Sequence, residues 1–277
     1  MIPVLILGCG FTGQRAAFRL RQSGRIVFAT SRHPDRLADL EVAGISIRPL
    51  VVPGALPDWI AELPGRVTVV HSLPVVENGQ GRPMDPTPRL LEIFGDRIQR
   101  LIYLSTTGVY GRATNVDGAT AVEAATERLR LRLAAERAVA AGPWESLILR
   151  PAAIYGTGRG VHASMREGRF YLTAGRDAYI SRIHVDDLAA HVVAAIGSNV
   201  TGAYPVADEE PCPSREVASF CSELMGIPMP PEIPLDRASE TRRSNRRVDG
   251  SEIRRLLGIE LAHRSYRTGI PACLAEE

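Results

Sequence analysis

The chain has 277 residues, 45% of them apolar and 23% charged, with a formal net charge of +2. That length suits one large domain or a domain with a smaller partner, and the balance excludes a disordered chain. No apolar run approaches the ~20 residues that cross a bilayer, and the charge is too small to indicate nucleic-acid binding by itself.

All 33 basic residues are arginine. With no lysine, the chain has no P-loop lysine, no Schiff base and no lysine acid or base. The four cysteines, Cys9, Cys212, Cys221 and Cys273, show neither CxxC nor metal spacing. Reduced thiols and a cytoplasmic location are the expectation. The opening MIPVLILGCG has no basic stretch before its apolar run, so it reads as a buried strand rather than a signal peptide.

In chain order, apolar runs predict strands at residues 2–7, 26–30, 46–51, 67–72, 100–104 and 146–150. Helical patterns lie between them. Residues 13–23 place Ala16, Ala17 and Leu20 on one face, and residues 120–141 end at Gly142-Pro143. Beyond Pro151 the pattern loosens, and Pro228, Pro230, Pro231 and Pro234 break any long element. Helices are still expected at 185–196, 214–225 and 250–257. Alternating strands and helices predict an α/β fold with a doubly wound parallel sheet of the Rossmann type. Residues 1–150 would form that domain, with 182–197 returning to it. Residues 151–181 and 198–277 would form a smaller mixed substrate subdomain.

The first strand runs into Gly8-Cys9-Gly10-Phe11-Thr12-Gly13, which is GxGxxG. The motif needs a strand before it and an amphipathic helix after it, and both are present. Gly8 permits the tight turn, Gly10 lets backbone approach a pyrophosphate, and Gly13 brings helix close to strand. Gly8, Gly10, Phe11, Thr12 and Gly13 are therefore the expected contacts of a nicotinamide dinucleotide. At the end of the second strand an NAD site usually carries an acid for the ribose 2′-hydroxyl. Here the chain reads Ala29-Thr30-Ser31-Arg32. Thr30 and Ser31 can donate to a phosphate and Arg32 can pair with it, which predicts NADP in preference to NAD.

Three further segments carry a resemblance. Leu104-Ser105-Thr106-Thr107-Gly108-Val109-Tyr110-Gly111, Arg150-Pro151-Ala152-Ala153-Ile154-Tyr155-Gly156 and Ile183-His184-Val185-Asp186-Asp187 resemble the extended short-chain dehydrogenase/reductase family. That family includes NAD-dependent epimerases and dehydratases, and the likeness covers about residues 1–197. The resemblance implies that Thr106 is the catalytic hydroxyl, orienting a substrate oxygen at the nicotinamide. It also implies that Pro151 opens a cofactor-facing loop.

The family's acid–base pair, Tyr-x-x-x-Lys, is absent. Arg128 and Arg132 stand at those positions, with Glu136 following on the same helix face. A guanidinium does not release a proton near neutral pH, so the two arginines would hold an anionic substrate group and ribose hydroxyls, or merely pair on a surface helix. His71, at the end of the fourth strand, is the nearby side chain suited to proton transfer and a further cofactor contact. Tyr110 and Tyr155 are replacement acids in the same reading. His184 and Asp187 would fix a helix start. The run Arg242-Arg243-Ser244-Asn245-Arg246-Arg247 reads as a solvated cluster, an anion contact or a nucleic-acid surface.

Three functions follow. The first is an NADP(H)-dependent oxidoreductase or epimerase acting on a sugar-like or anionic carbonyl or hydroxyl metabolite. The second is a non-catalytic NADP(H) sensor, favoured by the missing tyrosine and lysine. The third and weakest is a nucleic-acid-associated regulator. No metal and no membrane are implied, and a homodimer is compatible with the sequence.

Overall fold

The computed structural model describes residues 1–55, 57–237 and 245–277. Seven parallel strands form the central sheet: β1 (Val4–Leu7), β2 (Val27–Ser31), β3 (Ser46–Pro49), β4 (Val67–His71), β5 (Ile98–Leu104), β6 (Glu145–Pro151) and β7 (Gly202–Val206). Their spatial order is β7-β6-β5-β4-β1-β2-β3, so the winding reverses once, between β1 and β4. A crevice opens at such a reversal, beyond the carboxyl ends of the strands.

β1 is apolar at every position because both its faces are covered. Val4 and Ile6 join one core, with Ala16, Ala17 and Leu20 of α1 (Phe11–Gln22) and Leu188, Ala189 and Val192 of α6 (Val185–Ile196). Leu5 and Leu7 join the other, with Leu90 and Phe94 of α3 (Thr87–Phe94) and Ala135 and Val139 of α4 (Glu127–Ala141). This two-sided burial is why the strand reads as a continuous apolar run instead of alternating. The short α2 (Ala38–Val42) precedes β3.

Arg182–His184 pairs in parallel with Ala153–Tyr155, and α6 packs on α1. The expected boundary at 198 differs. Gly202–Val206 is the seventh strand, pairing in parallel with β6 from Gly202↔Leu147 to Val206↔Pro151. α8 (Ser251–Leu257) packs against this strand and α6. Pro205 is tolerated because β7 lies at the sheet edge, where one row of ladder bonds is not required.

The remaining subdomain gathers a third core from Tyr155, Met165, Leu172, Val217, Cys221, Tyr266 and Ile270. It holds α5 (Val161–Arg166), α7 (Ser214–Met225) and α9 (Tyr266–Ala275). All four cysteines are buried and unpaired with one another. No described helix is long and apolar enough to cross a membrane.

Candidate active site

The three glycines of the loop do separate work. Gly8 has φ +82°, and a Cβ there would meet Leu73 Cδ2 at 2.8 Å. A Cβ on Gly13 would sit 3.3 Å from Ile6 Cγ2, so helix and strand touch at that point. A Cβ on Gly10 would find only the Gly8 carbonyl, at 4.0 Å. The turn is thus closed against protein at Gly8 and Gly13 and open at Gly10. No side chain caps the first turn of α1, so its terminal N–H groups face outward along the helix axis. A pyrophosphate fits this arrangement.

Thr30 works differently from its sequence expectation. It is fully buried, its Oγ1 accepting from Gly8 N at 3.0 Å and donating to the Ile6 carbonyl at 3.2 Å. It braces the glycine turn and is not available to a phosphate. Ser31 Oγ accepts from His33 N at 3.0 Å and keeps its own proton to donate. Arg32 is exposed and makes no ion pair among the described residues.

β4 ends in His71, β5 ends in Leu104 just before Thr106, and Arg128 and Arg132 lie on α4. His71 is fully buried: Nε2 lies 2.9 Å from Thr87 Oγ1, and Nδ1 accepts from Leu73 N at 3.2 Å. Thr87 Oγ1 donates to Asp85 Oδ1 at 2.5 Å. Burial, with Arg132 nearby, pushes the imidazole down to about 3. Both ring nitrogens are engaged and neither reaches solvent, so the expectation of a proton carrier at His71 gives way to a role in fixing the β4 loop.

Arg128 and Arg132 also serve that loop. Arg128 donates to the Val75 carbonyl at 2.7 Å. Arg132 donates to the Leu73 carbonyl at 3.2 Å and to Tyr103 Oη at 2.5 Å, and lies 3.6 Å from Asp85 Oδ2. Instead of an open anion site, Arg132 has its own carboxylate. Glu136, one turn on, is buried and receives Arg150 Nη2 at 2.7 Å and Ser105 Oγ at 2.5 Å. Arg150 continues to Tyr110 Oη at 3.1 Å. Burial raises the Tyr110 phenol, and burial raises Tyr155 further, where Oη donates to the Ser265 carbonyl at 3.2 Å. Neither tyrosine presents a free hydroxyl to a substrate.

Thr106 and Pro151 meet in one cleft of about 750 Å³, shared with Ser181, Arg112, Arg176 and Arg246. Thr106 Oγ1 accepts from Gly108 N at 3.1 Å, which fixes the hydroxyl and leaves its proton free. Arg246 donates to the carbonyls of Ala113 at 3.2 Å, Thr107 at 2.6 Å and Gly111, holding the loop after β5. Arg112, Arg176 and Arg246 have no carboxylate partner among the described residues. Arg112 and Arg176 went unread in the sequence, because isolated arginines carry no motif, whereas Arg246 lies in the run that offered an anion contact. Of the arginine-rich run, Arg242, Arg243 and Ser244 lie outside the described residues. Arg247 stacks 3.5 Å from the Tyr179 ring centroid. The described part of the run is thus built into the fold instead of forming a free basic surface.

The helix start at 184–187 matches expectation in part. His184 Nδ1 accepts from Asp186 N at 3.3 Å and caps α6. Asp187 reaches farther, accepting from Ala262 N at 2.8 Å and His263 N at 3.0 Å.

Known proteins agree with this architecture. No family model matches the chain. A 3-diazoavenalumate denitrifying reductase of a Streptomyces species is 30% identical over 149 residues, 49% of each chain. The chain thus spans about half the length of that curated relative. A functionally unknown conserved protein of Silicibacter pomeroyi superposes with a TM-score of 0.83 at 30% identity, covering 100% of this chain and 99% of that one. A Methylobacillus flagellatus structure assigned to the NAD-dependent epimerase/dehydratases gives 0.77 at 26% identity, over 99% and 98%. The Bacillus cereus UDP-glucuronic acid 4-epimerase, solved with UDP-glucuronic acid and NAD, shares the fold at 0.80 and 18% identity, over 98% and 97%. The fold, the glycine turn and the three matching segments define an NAD(P)-type Rossmann protein. The chain shares the Rossmann fold of the NAD-dependent epimerase/dehydratase structures, the family its three segments resemble.

Proposed function

We propose that this protein binds NADP(H) across the carboxyl ends of its sheet and acts as an oxidoreductase or epimerase on a small anionic, sugar-like metabolite. The observation that carries the reading is the glycine turn, closed by protein at Gly8 and Gly13 and open at Gly10. Ser31 and Arg32 would take the 2′-phosphate. When bound, the nicotinamide supplies or accepts a hydride at its C4. Thr106, its hydroxyl held by Gly108 N, orients the reacting oxygen in the cleft. Arg112, Arg176 and Arg246 favour a carboxylate or phosphate on the substrate. With the Tyr-x-x-x-Lys pair absent and His71 enclosed, water carries the proton.

The relative that reduces a diazo compound and the neighbours that hold UDP-sugars with NAD are consistent with this class of chemistry. A second reading, a non-catalytic NADP(H) sensor, is favoured by one observation: Tyr110, Tyr155 and His71 all have their polar atoms engaged inside the protein.

Gly10→Val tests the cofactor reading. A side chain there fills space no protein atom occupies, so the thermal midpoint should hold while NADPH affinity in isothermal titration disappears. Unchanged affinity would remove the reading. A screen of anionic carbonyl compounds for NADPH oxidation then separates enzyme from sensor. Turnover lost in Thr106→Val with NADPH binding retained marks the enzyme, whereas binding without turnover of any compound marks the sensor.

A further inference from the structure

The loop 156–160, between the sheet domain and α5, is folded against the first residue of the phosphate-binding helix. A Cβ on Gly156 would meet Val185 Cγ1 at 2.5 Å and Phe11 Cζ at 2.9 Å, so the loop packs closely on both. The loop closes on itself by a paired bridge, Gly156 N to the Arg159 carbonyl at 2.8 Å and Arg159 N to the Gly156 carbonyl at 2.9 Å. Gly158 and Gly160 take φ of +69° and +136°, so the tight reversal needs them as glycine. From the far end of the chain, Glu276 accepts from Thr157 Oγ1 at 2.5 Å and Glu277 from Gly158 N at 2.9 Å. The loop is braced from both sides, and its purpose is not to bury Arg159, which stays exposed.

What the brace does is aim that side chain. The Arg159 guanidinium lies 5.3 Å from the centroid of the Phe11 ring. Phe11 is the residue immediately after Gly10. Arg15 stacks on the same ring at 4.6 Å but is paired with Asp186 Oδ1 at 3.4 Å. Arg159 makes no ion pair among the described residues. A guanidinium with no ion pair among the described residues therefore rests on the ring of the first residue of α1, the residue that follows Gly10. Cation–π contact holds the planar group there while its edge N–H donors remain available to a second partner.

We infer that Arg159 is a cofactor-binding residue, donating to the dinucleotide pyrophosphate at the α1 N-terminus. This rests on the NADP(H) reading and adds to it a contact the glycine motif does not contain. It also gives the cofactor a hold on both parts of the molecule, because Gly10 belongs to the sheet domain and Arg159 to the loop that leads into the subdomain.

The test is calorimetric titration of the apoprotein and of Arg159→Ala with two probes, NADP+ and adenosine 2′-monophosphate. The second probe carries the adenosine and the 2′-phosphate but no pyrophosphate. The variant should bind NADP+ about ten- to hundredfold more weakly, the size of one charge-assisted bond, and the monophosphate unchanged. Arg159→Lys should recover part of the loss, since it keeps the charge but not the fork. Equal NADP+ affinity in Arg159→Ala overturns the inference, and so does an equal loss for both probes, which would mark a general distortion. An unmodified protein that binds the monophosphate but not NADP+ also overturns it. Absence of binding to either probe by the unmodified protein would instead remove the cofactor reading itself.

Discussion

At the scale of single residues, neighbours in sequence took opposite roles for reasons of burial. Thr30 and Arg32 lie two apart at the end of β2, and both read as phosphate contacts. Thr30 turned inward, because a buried glycine turn leaves Gly8 N and the Ile6 carbonyl needing partners that only a short hydroxyl in that position reaches. Arg32 stayed in solvent, where a 2′-phosphate would find it. The Arg32→Ala variant should lose most of a roughly ten- to hundredfold preference for NADPH over NADH while its NADH affinity holds. Titrations with both cofactors check this, and equal affinities in the unmodified protein would show that Arg32 serves no phosphate. Which hydroxyl turns inward is set by three-dimensional hydrogen-bond demand, so the residues alone could not separate Thr30 from Ser31.

Helices show the same division between what pattern reveals and what partners decide. Residues 120–141 read as one helix, yet α4 begins at Glu127, capped by Thr126 Oγ1, which accepts from Leu129 N at 3.4 Å. The preceding stretch is held irregular by the loop after β5: Glu123 N donates to the Val109 carbonyl at 2.8 Å. Likewise α9 contains Pro271, which argues against a helix in sequence, and β7 contains Pro205 and begins with a glycine. Tertiary packing overrides both signals.

On α4 itself the three aligned residues Arg128, Arg132 and Glu136 were legible as one face, but not their partners. Their positions differ in burial, and so should their energetics. Glu136→Ala strands the Arg150 guanidinium in a buried pocket and should cost about 3–5 kcal/mol of stability. Arg128→Ala removes one hydrogen bond from an exposed side chain to the Val75 carbonyl and should cost no more than about 1.5 kcal/mol. Urea unfolding of the two variants measures the contrast. Equal losses would mean that Glu136 and Arg150 are better hydrated than their burial implies.

For the whole molecule, six of the seven sheet strands were readable as runs in chain order, whereas β7, which opens on a glycine and contains Pro205, was not. The cleft was not, since its lining comes from segments as far apart as Thr106 and Arg246. Burial also sets a pH response. Burial drives His71 and His184 down to about 3 and His191 to about 4, against 6.5 for an exposed imidazole. The unfolded chain takes up these protons below 6.5 and the folded one does not, so stability is fully present above that pH and falls as pH drops toward 4. Asp208 acts in the other direction. Burial raises its carboxyl from 3.8 to about 7, so its contribution is greatest at low pH and is lost as pH rises through 7. The lowered histidines, His162 among them, outweigh Asp208 and the likewise raised Asp187, which predicts a lower urea midpoint at pH 5 than at pH 7.5. Asp208→Asn should make the fall steeper, and a midpoint that holds or rises on acidification would contradict the assignment.

The cationic wall of the cleft has a kinetic corollary. Arg112, Arg176 and Arg246 line one concavity without a carboxylate partner among the described residues, on a chain whose formal net charge is only +2. Field lines focus through such a mouth, so an anionic ligand is guided during diffusion before any contact forms. Capture by this protein should therefore slow steeply as ionic strength rises past the point where the Debye length, about 10 Å at 0.1 M, shrinks below the width of the opening, while escape of the bound ligand changes little.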